Sequence, residues 1–136
     1  MIQVDGFSHV GIVVPDLDAA RALFANAFGC AVGAPIEVPE QSLRLAYVEL
    51  GPVKIELLTP TDASSPVAKF LDRNPKGGLH HVALSVADAQ GAAAGSRDAG
   101  LEMLGGGPAP GHHGRQLFFL HPKDTLGSLV EIEQRA

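Results

Sequence analysis

The chain nearly repeats itself, and that repeat narrows the folds open to it more than any other feature. One copy opens on His9-Val-Gly-Ile-Val-Val-Pro-Asp16 and the other on His81-Val-Ala-Leu-Ser-Val-Ala-Asp88. The first copy reaches Leu50-Gly-Pro-Val-Lys-Ile-Glu56-Leu57, the second Leu126-Gly-Ser-Leu-Val-Glu131-Ile132. Each copy therefore starts a strand with a histidine and closes on a strand carrying a glutamate. Two copies supply two imidazoles and two carboxylates, the donor set of a nitrogen- and oxygen-liganded divalent metal.

Local signals predict a βαβββ order in both copies. In the first, Phe7 to Val14 is apolar and β-branched and stops at Pro15. Asp16 caps a helix whose apolar positions Leu17, Ala20, Leu23, Phe24 and Phe28 follow a 3.6 period up to Gly29. Val32 to Val38 reads as a weak strand broken by Pro35. Leu43 to Leu50 and Val53 to Leu58 read as strands joined at Gly51-Pro52. Ser65-Pro66 starts a linker helix ending at Asn74-Pro-Lys-Gly-Gly78. In the second copy His81 to Val86 is a strand, Asp88 caps a helix, and Leu101 to Leu104 is a short strand. Gly105 to Gly114 holds too much Gly and Pro for anything but a mobile loop, and Gln116 to Leu120 and Ser128 to Glu133 are strands. The expected fold is α+β: two βαβββ modules, about 5–58 and 79–134, joined by a linker helix at about 64–74 into one cup-shaped mixed sheet.

Composition bounds the function. At 136 residues and 14.1 kDa, with 46% hydrophobic and 18% charged residues, the chain suits one soluble globular domain spanning 1–136. A net charge of −5, with no basic run, argues against a nucleic-acid partner. Cys30 is the single cysteine, which excludes an internal disulfide and fits a cytoplasmic location. No apolar run reaches membrane-spanning length, and no signal-peptide pattern opens the chain.

Taken singly, His9 reads as a packed or capping strand residue, and Glu56, between Ile55 and Leu57, as a solvent-facing one. Glu131 and Glu133 share a strand face, and one of the two is expected to be merely solvated. Within His80-His81, the residue matching His9 is His81, because Val82-Ala-Leu follows it as Val10-Gly-Ile follows His9; His80 faces the other way. Joint placement favours one site made of His9, Glu56, His81 and Glu131.

Longer segments carry a resemblance. They are His9-Val-Gly-Ile-Val-Val-Pro-Asp-Leu-Asp18, Val38-Pro-Glu-Gln41, Lys54-Ile-Glu-Leu-Leu58, Ser65-Pro-Val-Ala-Lys-Phe-Leu71, Gly78-Leu-His-His-Val-Ala83, Phe119-Leu-His-Pro-Lys-Asp124 and Leu129-Val-Glu-Ile-Glu-Gln134. In this order they cover nearly the whole chain. The chain resembles the vicinal oxygen chelate (glyoxalase/bleomycin resistance/dioxygenase) superfamily, and within it the methylmalonyl-CoA epimerase family. The resemblance implies a metal-dependent epimerase that interconverts (2R)- and (2S)-methylmalonyl-CoA through an enolate. It implies His9, Glu56, His81 and Glu131 as ligands of a divalent ion, with cobalt or manganese favoured and zinc and nickel also suited. It further implies a homodimer, an acyl-CoA substrate, and Gln41, His113 and Lys123 as substrate-binding residues, with Arg115 beside Lys123 for the coenzyme phosphates. Family members carry a non-ligand glutamate at the place held here by Leu45. That departure directs the acid and base roles to Glu131 and Glu56, with Glu40 and Glu49 as further candidates. Two rival functions are a lactoylglutathione lyase, which can use the same ligand set, and a non-catalytic ligand-binding member of the superfamily, a class that typically lacks the metal ligands this chain keeps.

Overall fold

The computed structural model describes all residues from Met1 to Ala136 and is α+β, with nine strands and three α-helices. The chain divides into two compact units, His9–His80 and Met1–Ser8 with His81–Ala136. The sequence repeat does not announce that the first eight residues group with the second copy.

In the His9–His80 unit, β1 (Val4–Val13) contributes its second half. The α-helix α1 (Leu17–Ala22) follows and runs into a π-helical turn at Leu23–Ala27. Asp16 caps α1 by accepting the Ala19 N–H at 3.0 Å, as expected of an aspartate placed just before an apolar helical stripe. Gly29, at φ 66°, lets the chain leave the turn. The weak strand expected at Val32–Val38 is two pieces, β2 (Ala31–Val32) and β3 (Ile36–Val38), since proline cannot donate to a ladder. Both pair antiparallel with β4 (Leu43–Leu50), which forms a hairpin with β5 (Val53–Pro60). The turn Gly51-Pro52 sets the hairpin register at Leu50 opposite Val53, with Gly51 at φ 79°. β5 pairs parallel with β1, placing Gly11 beside Glu56 and Val13 beside Leu58. The linker helix is α2 (Ala68–Arg73). Val13, Val38, Leu43, Leu45, Leu58 and Val67 form one apolar cluster, and Leu17, Ala46, Val48 and Leu57 form another under α1.

In the other unit, β6 (Gly78–Val86, from His81 onward) pairs parallel with β9 (Val130–Gln134), placing Ala83 beside Glu131 and Ser85 beside Glu133. The helix α3 (Ala89–Asp98) is capped by Asp88 at φ −140° and ψ 105°, nearly the −138° and 105° of Asp16, so the repeat extends to backbone conformation. The core here is Val86, Ala92, Ala93, Phe118, Leu120 and Ile132.

One expectation is overturned. The Gly/Pro run is not a loop from Gly105: Met103–Pro110 is a strand, β7, antiparallel to β8 (Gln116–Leu120), which also pairs with β9. The pairing register shifts between Leu104 and Ala109. Gly105 (φ 71°) and Gly107 (φ 106°) supply the backbone freedom such a bulge needs. Prolines 108 and 110 are tolerated because β7 is an edge strand. Only Gly111–Gly114 is left as the turn.

Candidate active site

Each unit builds an imidazole–carboxylate pair in the same way. On a strand, residues two apart share a face, so His9 lies on the face of Gly11, and Gly11 is the register partner of Glu56. The outcome is His9 Nε2 at 3.9 Å from Glu56 Oε1. In the other unit His81 shares the face of Ala83, the partner of Glu131, and His81 Nε2 stands 3.5 Å from Glu131 Oε1. All four residues are buried, retaining at most 8% of their exposure. Two such groups bound to one ion at ~2.1 Å would lie roughly 3–3.5 Å apart, so each pair is close to ligand geometry. The donor chemistry fits a divalent cation that also accepts oxygen ligands from a substrate.

The two carboxylates have different neighbours. In the first unit Tyr47 is the cross-strand partner of Glu56, and its hydroxyl donates to Glu56 Oε2 at 3.1 Å. Lys54 Nζ lies 5.2 Å from the Tyr47 ring centroid and 3.8 Å from Glu49 Oε1. In the second unit the cross-strand partner of Glu131 is Phe119, whose ring packs edge-on to His81 at 5.7 Å.

The expectation that Glu131 or Glu133 would be solvated fails, because both are buried. Glu133 Oε1 accepts from Ser8 Oγ at 3.1 Å and Arg115 Nη2 at 3.3 Å. Glu133 Oε2 meets His113 Nε2 at 3.1 Å. The Arg115 backbone N–H donates to His113 Nδ1 at 3.0 Å, so the neutral ring carries its proton on Nε2 and donates it to Glu133. A carboxylate leaves water at low cost only with such donors around it. Oxygens of Glu131 and Glu133 lie within 4.8 Å of one another.

The remaining candidates are placed as follows. Gln41 is exposed at the end of a 3₁₀ turn, Pro39–Gln41, and Glu40 and Glu49 are exposed. Lys123 is exposed and holds Glu102 at 2.7 Å, an ion pair that keeps the Glu102 carboxyl low and the Lys123 ammonium high. His121 caps the short turn Pro122–Asp124 by accepting the Lys123 N–H, a structural role. His80 packs edge-on to Phe70 at 5.2 Å, and burial pushes its imidazole below the usual value. Leu45 lies in the apolar cluster with Val13 and Leu58. Sequence reasoning missed Tyr47, Ser8 and Glu133. Tyr47 was within reach: counting back from the Gly51-Pro52 turn sets residue 47 opposite Glu56.

Comparison with known proteins agrees with this construction. The profile of the Glyoxalase/Bleomycin resistance protein/Dioxygenase superfamily matches residues 8–119. An ethylmalonyl-CoA/methylmalonyl-CoA epimerase of Cereibacter sphaeroides is 46% identical over 133 residues, covering 97% of this chain and 99% of that protein. The crystal structure of methylmalonyl-CoA epimerase from Mycobacterium tuberculosis superposes with a TM-score of 0.91 at 30% identity, covering 100% of this chain and 91% of that one. A Streptomyces coelicolor methylmalonyl-CoA epimerase variant in complex with 2-nitronate-propionyl-CoA gives 0.90 at 34% identity, covering 98% and 99%. With equivalent histidine–glutamate pairs in both copies of its repeat, the chain belongs to the glyoxalase/bleomycin resistance/dioxygenase superfamily, among its methylmalonyl-CoA epimerases.

Proposed function

We propose that this chain is a metal-dependent epimerase interconverting (2R)- and (2S)-methylmalonyl-CoA through an enolate. The observation that carries the reading is the pair of buried imidazole–carboxylate couples at equivalent register in the two copies, His9 with Glu56 and His81 with Glu131. The four side chains would together hold one divalent ion, cobalt or manganese, with the two modules acting as a single domain. A divalent ion there would polarise the thioester carbonyl and the neighbouring carboxylate, stabilising the charge that develops as the C2 proton leaves.

Epimerisation requires a proton to leave one face of C2 and arrive on the other, hence two protein groups. Glu131 takes the first role and Glu56 the second, since Leu45 carries no proton-transfer group and sits in the core. Gln41, His113 and Lys123 bind the acyl-CoA. The reading includes a homodimer in the cytoplasm; no helix is long and apolar enough to cross a membrane.

Proton–deuterium exchange at C2 of methylmalonyl-CoA in heavy water tests the function. Exchange that is lost with chelator and restored by Co²⁺ or Mn²⁺ is expected. Absent exchange, with turnover of a glutathione hemithioacetal, would assign the chain to lactoylglutathione lyase instead. The Cereibacter relative is named for ethylmalonyl-CoA as well, which makes the ethyl-branched thioester the first alternative substrate to assay.

A further inference from the structure

We infer that Tyr47 is a positioning residue that fixes one oxygen of Glu56, so that the other is presented on the His9 side as the metal ligand. The inference rests on the proposed metal site and goes beyond it by assigning a residue that is not itself a ligand. Its basis is a set of contacts within one hairpin and the strand beside it. The Tyr47 hydroxyl donates to Glu56 Oε2 at 3.1 Å, while Glu56 Oε1 stands 3.9 Å from His9 Nε2. The two carboxylate oxygens are thus divided between two tasks. A glutamate has three side-chain torsions, and near a cation it would otherwise turn to offer either oxygen or both. A phenolic donor on one oxygen removes that choice before the ion arrives, which lowers the ordering cost of binding.

The phenol is itself held. Tyr47 and Glu56 are direct cross-strand partners, so their Cβ atoms are fixed by the β4–β5 ladder. Lys54 lies over the Tyr47 ring, 5.2 Å from its centroid, and is kept near by Glu49 at 3.8 Å. A cation over the ring draws electron density from it and strengthens the O–H as a donor. The second copy of the repeat shows what the arrangement adds: there the cross-strand partner of the glutamate is Phe119, which has no hydroxyl to offer.

The test is a titration of the metal-free full-length protein with Mn²⁺ alone, followed by the visible spectrum of the Co²⁺-loaded form. Tyr47→Phe keeps the ring and removes the donor; its melting temperature without metal, measured in parallel, shows whether folding is intact. A roughly 10-fold weaker Mn²⁺ dissociation constant and an altered Co²⁺ band are expected, in the range typical of residues that orient ligands. Lys54→Met is expected to act in the same direction by a smaller factor, about 2- to 3-fold. Glu56→Ala sets the scale. If Glu56→Ala leaves Mn²⁺ affinity unchanged, the metal site itself is misassigned. If Glu56→Ala weakens binding while Tyr47→Phe matches the parent in both affinity and spectrum, the metal site stands and the role of Tyr47 is overturned. A Tyr47→Phe protein that melts earlier yet binds Mn²⁺ as before would also overturn it, since that is the signature of packing alone.

Discussion

The positions four residues after each histidine and two after each glutamate have parted company in the two copies. In the first copy Val13 and Leu58 are register partners and both lie in the apolar core with Leu45. In the second copy the same partners are Ser85 and Glu133. Ser85 Oγ donates to Asp5 at 2.9 Å, and Glu133 gathers Ser8, His113 and Arg115. One unit thus continues its histidine–glutamate pair into hydrocarbon, the other into a buried polar network. The ladder tolerates both because backbone hydrogen bonds set the register in either case. The network serves a further purpose: His113 and Arg115 flank Gly114 in a segment with little apolar surface, so polar contacts to Glu133 hold what packing cannot.

The largest test of the comparison removes the element the copies share. His9→Ala and His81→Ala should each cut metal content and C2 exchange together, the latter by about 10³-fold, several kcal/mol of lost stabilisation. Full metal occupancy in either variant would show that the copies are not equivalent.

Next comes the element they do not share. Glu133→Leu gives the second copy the residue of the first and removes the contacts that the carboxylate makes with Ser8, His113 and Arg115. A loss of about 2 kcal/mol is expected from denaturant unfolding: the Ser8 hydroxyl and the His113 ring each lose a hydrogen bond, while the Arg115 side chain, 38% exposed, can turn to water. Leu58→Ala in the first copy should cost a similar ~2–5 kcal/mol by leaving a cavity, with no change in Mn²⁺ affinity. Equal stability of Glu133→Leu and the parent would mean that the network is incidental.

Glu131→Gln and Glu56→Gln keep a ligating oxygen while removing the basic one. At least one should retain metal yet lose roughly 10²-fold in exchange on one face of the substrate. Near-normal exchange in both would move the proton-transfer role to Glu40, Glu49 or the histidines of Gly111–Gly114.

The smallest effect concerns Asp5. The Arg135 guanidinium, at 2.7 Å, and then Ser85 hold its carboxyl below the usual range. A depressed folded-state value means the contribution exists above the ordinary carboxylate pKa and is lost as pH falls through the folded one. Asp5→Asn should therefore lower the melting temperature slightly at neutral pH, and the difference from the parent should close in acid. A difference that persists at low pH would mean the contact does not act through charge.

Much of this was legible beforehand. Asp16 and Asp88 cap helices as expected, β4 and β8 have the expected limits, and His81 rather than His80 forms the glutamate pair. The strand missed at β7 has a local cause. Gly105–Pro110 lacks the side chains from which propensity is read, yet its backbone still has a partner in β8.

The sequence by itself determined the repeat, the α+β class and which histidine and glutamate of one copy match those of the other, because these follow from local spacing and period-two alternation. The pairing of each histidine with its glutamate came from the long-range parallel registers of β1 with β5 and β6 with β9. Alternation names a strand face but not what covers it. Only the tertiary structure decided that Glu133 is buried. One of its donors, Ser8, lies 125 residues away along the chain, and no local pattern encodes such a meeting. Burial of a charge is a property of everything that surrounds it, and the surroundings exist only once the chain has folded.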